Sequence, residues 1–218
     1  MTNEPKVSVI IPAYNQEKYV RRCLRSLLDQ SLEKKFYEII VINDGSSDKT
    51  GYVLDLFKDD IRILKNEKNE GLAFSVNKGI LKSRGRFVVR VDSDDYVNKE
   101  FLNTLLLFLS DNSSMDAICC DYYTVDDREK IQDRKSGIKD PIACGIMFRI
   151  EQLVELGLYD TSFLVHEETD LRHRFLKKYT IDNVPLPLYR YRRHETNKTN
   201  DLELMEKHLK KFKKKHKI

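Results

Sequence analysis

The sequence lacks any run approaching the ~18 apolar residues that a membrane-spanning helix requires. It also lacks the charged-then-hydrophobic order of a secretory signal peptide, because Met1 to Lys6 are polar and lead straight into an apolar strand. A cytoplasmic location is the expectation. Cysteine is sparse: Cys23, Cys119, Cys120 and Cys144 form no C-x-x-C pair, which argues against a structural zinc site. All four are expected to be reduced and mostly buried, with Cys119 and Cys120 on opposite faces of one strand. No G-x-G-x-x-G follows a strand and no G-x-x-x-x-G-K-[ST] occurs, which argues against a dinucleotide-binding dehydrogenase and a P-loop NTPase. With 40% apolar and 34% charged residues, wholesale disorder and a collagen-like fibre are excluded. A chain of 218 residues fits one sizeable domain, with or without a short appendage.

Charge is distributed unevenly. The net charge is +4, but seven lysines and no acid lie in residues 207–218, leaving residues 1–206 with 32 basic against 35 acidic side chains. A nucleic-acid-binding domain needs a basic face on its folded body, so no nucleic-acid partner is expected. Residues 201–215 place Leu202, Met205, Leu209 and Phe212 on one side of a helix, with lysines around the others. This basic amphipathic helix reads either as a solvated helix closing on the body or as one lying on an anionic membrane surface.

Upstream, short apolar runs alternate with helical patterns. Val7 to Pro12, Glu38 to Asn43, Ile61 to Leu64, Arg86 to Val91 and Ala117 to Tyr123 read as strands. Helices are expected over 19–28, over 48–58 with Asp48 as N-cap, after Gly71, and over 101–109. Such alternation predicts an α/β fold whose mostly parallel sheet is covered on both faces, with ligands beyond the strands' carboxyl ends. Thr124 to Asp140 is polar and without period, and reads as a mobile connection. Beyond it lie an apolar segment, Ile142 to Phe148, two helices, over 151–156 and 169–179, and an extended stretch, Pro185 to Arg193.

The strongest chemical signal is Asp92-Ser93-Asp94-Asp95 at a strand end. Carboxylates so crowded need solvent or a cation, and hard oxygen ligands suit Mg²⁺ or Mn²⁺ shared with a substrate's phosphates; a helix N-cap cluster is the plainer reading. Asp44-Gly45-Ser46-Ser47-Asp48 follows a second strand, where an acid can accept hydrogen bonds from a ribose or base, or simply form a turn and cap. Pro12, Ala13, Tyr14 and Asn15 end the first strand, and Tyr14 can stack on a base or pack against a loop. Glu167, Glu168 and Asp170, after His166, suit either proton abstraction or a helix N-terminus.

The strings VSVIIPAYNQEKYVRRCLRSLLDQ, EIIVINDGSSDKT, NEGLAFSVNKG and VDSDD, in this order, resemble family 2 glycosyltransferases of the GT-A fold, over about residues 6 to 200. The resemblance implies a Rossmann-like sheet and inverting transfer of a sugar from a nucleotide-diphosphate donor, usually a UDP-sugar, to an acceptor hydroxyl. It places Pro12, Ala13, Tyr14 and Asn15 at the base, Asp44 at the base or ribose, Asp92 near the ribose, and Asn69, Gly71 and Asn77 beside the nucleotide. Asp94 would hold Mn²⁺ or Mg²⁺. The segment from His166 to Leu171 resembles the family's acidic motif, with Glu168 as general base and Glu167 as its rival on the acceptor side. The segment Tyr189 to Thr199 resembles the closing motif, in which His194 reaches metal or diphosphate and Arg192 or Arg193 neutralises phosphate. Gly145 and Met147 would face the acceptor.

The implied organisation is a glycosyltransferase domain over 1–200, split into a nucleotide-binding half (1–123) and an acceptor half (124–200), followed by the basic helix 201–218. The expected acceptor is a saccharide or a lipid-linked one, in surface polysaccharide or glycolipid synthesis, with the enzyme cytoplasmic and peripheral on the inner face of a membrane. Two alternatives stay open: a sugar nucleotidyltransferase, and a non-catalytic module that docks on RNA or anionic lipid.

Overall fold

The computed structural model describes residues 4–195, 197 and 200–218; Thr196, Lys198 and Thr199 of the closing motif, and Met1 to Asn3, lie outside them. The first strand, β1 (Val7–Ala13), pairs in parallel with β2 (Tyr37–Asp44) and β4 (Phe87–Arg90), and β2 with β3 (Arg62–Asn66). Strands β1, β2 and β4 are buried along their whole length because both faces are covered, whereas the edge strand β3 is only partly buried. On one face Val9, Ile11, Ile39 and Val41 meet α1 (Val20–Leu28), α2 (Thr50–Asp55) and α4 (Phe101–Asp111). On the other, Ile10, Ile40 and Ile42 meet α3 (Leu72–Leu81) and, further along the sheet, α5 (Ile150–Glu155) and α6 (Glu167–Phe175) lie on the same side. Each fully buried aliphatic side chain contributes roughly 1.5–3 kcal/mol as an upper estimate. Cys119 and Cys120 fall in opposite cores, and all four cysteines are buried free thiols.

Beyond β4 the sheet changes character. Strand β8 (Ile146–Arg149) runs antiparallel to both β4 and β6 (Ala117–Val125), β9 (Ile181–Arg192) is parallel to β6, and β5 (Tyr96–Val97) is antiparallel to β9. The order is β3-β2-β1-β4-β8-β6-β9-β5. The unbroken run of parallel pairs therefore belongs to the half that ends in Asn15, Asp44 and Asp92, while the second half mixes both directions. The β6–β9 register slips between Cys120 and Tyr122, opposite Pro185 and Pro187, which have no amide proton to give the ladder.

Two expectations need correction. Thr124 to Asp140 is not an unstructured connection: β7 (Ile131–Lys135) folds back antiparallel onto β6. Asp126 Oδ1 accepts the backbone N–H groups of Arg128 and Lys130 to close the turn, and Asp127 and Glu129 pair with Lys18 and Arg22. Both faces of this strand are largely exposed, so no apolar alternation marks it. The helix expected over 48–58 is shorter, with Asp48 Oδ1 accepting the N–H of Thr50 at 2.9 Å.

The last helix, α7 (Leu202–His216), begins at Asp201, whose side chain accepts the N–H of Leu204. Its buried side takes only part of the apolar stripe: Phe212 is buried beside His208 and Met205 is partly buried, while Leu202 is 78% exposed. Among the described residues no helix is long and apolar enough to cross a membrane.

Candidate active site

A cavity of about 900 Å³ opens where the carboxyl ends of β1, β2 and β4 meet the second half of the sheet. Pro12, Ala13, Tyr14, Asn15, Asp44, Asn69, Asp92, Asp94, Glu167, Glu168, Arg193 and His194 all line it. These residues come from six separate stretches of chain, and the fold brings them to one place.

The nucleotide side is built by cross-ties between strand ends. Asn15 adopts φ +53° and its Oδ1 accepts the N–H of Ser47 at 2.9 Å, while its own N–H donates to Ser46 Oγ. Gly45 turns at φ +68°, and a Cβ there would meet the Lys68 carbonyl carbon at 2.4 Å, so only glycine fits. Asp44 is buried and accepts three donors: Glu70 N–H (2.9 Å), Asn66 Nδ2 (2.7 Å) and Gly71 N–H (3.0 Å). A carboxylate offers about four acceptor positions. Asp44 therefore fixes the loop that carries Asn69 and keeps limited capacity for a ligand.

Around the acidic quartet each carboxylate has a different environment. Asp92 is chelated by Arg90, with Nε 2.6 Å from Oδ1 and an Nη 3.1 Å from Oδ2. Asp95 is buried, taking Tyr189 Oη and the Arg192 N–H at 2.7 Å each; burial, with Asp94 and Asp92 adjacent, pushes it well above the ordinary carboxylate range. Asp94 faces the cavity with Oδ2 2.9 Å from His194 Nε2. The His194 ring stacks on Tyr19, centroids 4.8 Å apart.

This arrangement decides which residues fit a divalent ion. The ligand atoms of Asp92, Asp95 and Cys144 lie within 4.8 Å of one another, but burial pushes the Cys144 thiol well above its ordinary value and Asp95 is committed to protein donors. A protonated thiol is a poor ligand for a hard cation. Asp94 and His194, which converge at the cavity wall, fit Mn²⁺ or Mg²⁺ better.

The acceptor side begins at His166, whose left-handed backbone (φ 63°) turns the chain into α6. Glu167, the first helical residue, is buried and its Oε1 lies 3.0 Å from an Arg90 Nη, so one guanidinium holds acids from two elements. Burial lifts Glu167 to about 7, against the attraction of Arg90. Glu168 is only partly buried, and its Oε1 accepts the Thr169 hydroxyl at 3.0 Å. Opposite the parallel strands, alternate residues of β7, β6 and β9 (Lys135, Tyr122, Thr124 and Tyr191) face the cavity together with Arg193.

Titration of Glu167 gives a stability prediction. The folded state keeps this proton to about pH 7, whereas the unfolded chain releases it near 4.5. The associated stability is fully present below about 4.5 and is lost as pH rises towards 7. Denaturant midpoints measured from pH 4.5 to 7.5 are expected to show this decline in the parent and a flatter profile in Glu167→Gln; parallel profiles contradict it.

Some expected residues do not reach the cavity. Arg192 is buried beside it, with Nε on the Asp94 carbonyl (2.8 Å), Nη groups on the Asp127 carbonyl and Glu129, and the rings of Tyr19 and Tyr96 nearby. Its charge is spent within the protein, whereas Arg193 is exposed and lines the cavity. Gly145 does not face an acceptor: at φ +74° its α-carbon packs where a Cβ would meet Tyr189 at 3.1 Å. Met147 is core. Asn77 grips both backbone groups of Tyr159, and Gly71 serves as the turn before α3. Arg90 and the Tyr122–Lys135 strand pair were not expected; a lone arginine inside the apolar run RFVVRV was the available signal, since a buried cation needs partners.

The family model described as Glycosyl transferase family 2 matches residues 8–178. The chain is similar to glycosyltransferase GlyA of Streptococcus pneumoniae, 41% identical over 107 residues covering 48% of this chain and 15% of that protein. It is also similar to the poly(ribitol-phosphate) beta-N-acetylglucosaminyltransferase TarS of Staphylococcus aureus, 37% identical over 112 residues, covering 50% and 20%. Among solved structures, TarS in complex with UDP-GlcNAc superimposes with a TM-score of 0.78 at 24% identity, covering 90% of this chain and 61% of that one. The mannosyltransferase PcManGT from Pyrobaculum calidifontis, in complex with GDP-Man and Mn²⁺, gives 0.77 at 17%, covering 98% and 64%. The chain thus spans less than two thirds of each of these relatives.

Proposed function

The chain belongs to glycosyl transferase family 2, with the GT-A fold, and from that premise we propose that it transfers a sugar, with inversion, from a UDP-sugar to an acceptor hydroxyl. The observation that carries this is the single cavity lined both by the three parallel-strand ends with the Asp94–His194 pair and by the first turn of α6. The UDP-GlcNAc complex of the structurally similar TarS supports the donor class.

In this reading Tyr14, half exposed at the end of β1, stacks on the base, with Pro12, Ala13 and Asn15 completing its wall. Asp44, Asn69 and Asp92 meet the ribose side, and Arg193 donates to the diphosphate through its planar fork. Asp94 and His194 hold the divalent ion, which when bound supplies positive charge against the diphosphate. Glu168, whose carboxylate is less engaged than that of Glu167, accepts the proton of the attacking hydroxyl. Arg90 keeps Asp92 and Glu167 in register between the two halves of the site. Residues 1–123 then supply the base and ribose side of the donor, residues 124–200 supply Glu168 for the acceptor together with Arg193 and His194 at the diphosphate, and the acceptor rests on Tyr122, Thr124 and Tyr191.

The acceptor is a saccharide or lipid-linked saccharide of a surface polymer; the poly(ribitol-phosphate) named for TarS supports no more than a polymeric polyhydroxyl acceptor. The outward lysines of α7 (Lys207, Lys210, Lys213, Lys214) suit an anionic membrane surface on the cytoplasmic side.

A thermal-shift panel of nucleotide sugars with and without Mn²⁺ tests the reading. A ligand at about 100 times its Kd stabilises by about 2.7 kcal/mol, so a UDP-sugar with Mn²⁺ is expected to raise Tm by several degrees, and more than the sugar alone. A panel in which no nucleotide sugar shifts Tm contradicts it.

A further inference from the structure

Helix α7 meets the body through polar and aromatic side chains more than through aliphatic ones. Met205 lines the cavity, and His208 and Phe212 are buried. Their partners belong to the segment 158–166 and to α6. Phe212 stands edge-on to His173 with centroids 5.5 Å apart, His216 lies 4.2 Å from the same ring, and His208 faces Phe163 at 6.0 Å. Lys211 donates to the Ser162 carbonyl.

The centre of this contact is Asp170, which is fully buried. Lys215 Nζ lies 2.6 Å from its Oδ1 and 2.8 Å from Asp160 Oδ2, and His216 Nε2 is 2.8 Å from Asp170 Oδ1. Its other oxygen takes Arg174 Nε at 2.8 Å, and the remaining Arg174 nitrogens bond the carbonyls of Leu156 and Leu158. Asp170 sits three residues after Glu167 and two after Glu168 on a nine-residue helix. Within one helical turn the backbone is rigid, so whatever fixes Asp170 fixes the direction in which the two glutamates enter the cavity. Arg90 grips the same turn from the sheet through Glu167.

We propose that Lys215 and His216 are positioning residues: through Asp170 they hold the first turn of α6 so that Glu167 and Glu168 stand in the cavity, which makes α7 a working part of the acceptor side. The proposal rests on the reading of Glu168 as the base. It separates two uses of the lysine-rich end, since Lys215, though partly exposed, pairs with Asp160 and Asp170 of the body, while Lys207, Lys210, Lys213 and Lys214 are exposed.

The test uses the full chain with Lys215→Ala/His216→Ala, beside Lys215→Arg as the conservative variant. In the double variant, amide exchange over residues 163–169 is expected to rise, and kcat for transfer to fall by about 10- to 100-fold, the scale of a small misplacement of catalytic groups. The Kd for UDP with Mn²⁺ is expected to stay within about two-fold of the parent, because the donor half is untouched. Lys215→Arg is expected to keep both the protection and the rate. Unchanged exchange in the double variant overturns the proposal; so does raised exchange with kcat preserved, which reduces the contact to a source of stability. The exchange readout judges the clamp without reference to turnover, whereas transfer surviving in Glu168→Gln overturns the identity of the base.

Discussion

Glu168→Gln is expected to leave the donor bound and to stop transfer, with kcat lower by about 10²- to 10⁴-fold, the range that general-base catalysis supplies. Glutamine keeps the length and planarity of the side chain and removes its basicity. The Thr169 hydroxyl donates to Oε1 in the parent and can donate to an amide oxygen as well, so the local structure survives. Glu167→Gln is expected to act differently. Its carboxylate is buried against Arg90, so the variant disturbs the ion pair that spans β4 and α6 before it disturbs the reacting hydroxyl. Steady-state kinetics of UDP release with acceptor present, set beside UDP titrations, distinguish these outcomes. A Glu168→Gln enzyme with near-parental kcat would remove the residue from the chemistry.

Asp94→Ala is expected to abolish divalent-dependent turnover, a loss of about 10²- to 10³-fold or more, comparable with removing a principal electrostatic group from an active site. The fold should persist. The Asp94 side chain meets His194, whereas the bond from Arg192 Nε goes to its backbone carbonyl and remains in the variant. Asp95 behaves in the opposite way. It ties Tyr189, Arg192 and Cys144 together in the interior, and Asp95→Ala is a loss of structure before it is a loss of chemistry. The measurement is activity against Mn²⁺ concentration together with Tm: Asp94→Ala keeps Tm and loses the metal dependence, and a variant that still responds to Mn²⁺ like the parent contradicts the assignment.

Much of the donor half could be read from the residues alone, because the apolar runs VIIP and IIVI show no alternation of apolar and polar residues, the pattern of strands covered on both faces. Their polar ends then had to fall at one sheet edge, which is how Asn15, Asp44 and Asp94 were identified together. The acceptor half gave weaker signals. IQDRK forms a strand with neither face in a core, so nothing in its pattern separates it from a loop. Of the two readings open for helix α7, the structure realises the one in which it closes on the body, with Phe212 against the rings of His173 and His216. Arg192 and Arg193 are adjacent and chemically identical. Strand alternation sends one into the Asp94–Glu129 cluster and the other to the cavity, and only the register of β9 against β6 decides which. Gly145 likewise signalled a special position, and its positive φ and the Tyr189 ring against its α-carbon account for it.

The most direct test of the whole account is anomalous scattering from a crystal of this chain grown with UDP and Mn²⁺. The account predicts one manganese peak coordinated by Asp94 and His194 and by the diphosphate, with the uracil against Tyr14. A peak held by Asp92, Asp95 and Cys144, or ordered UDP whose phosphates lie away from Asp94 and His194, would contradict it.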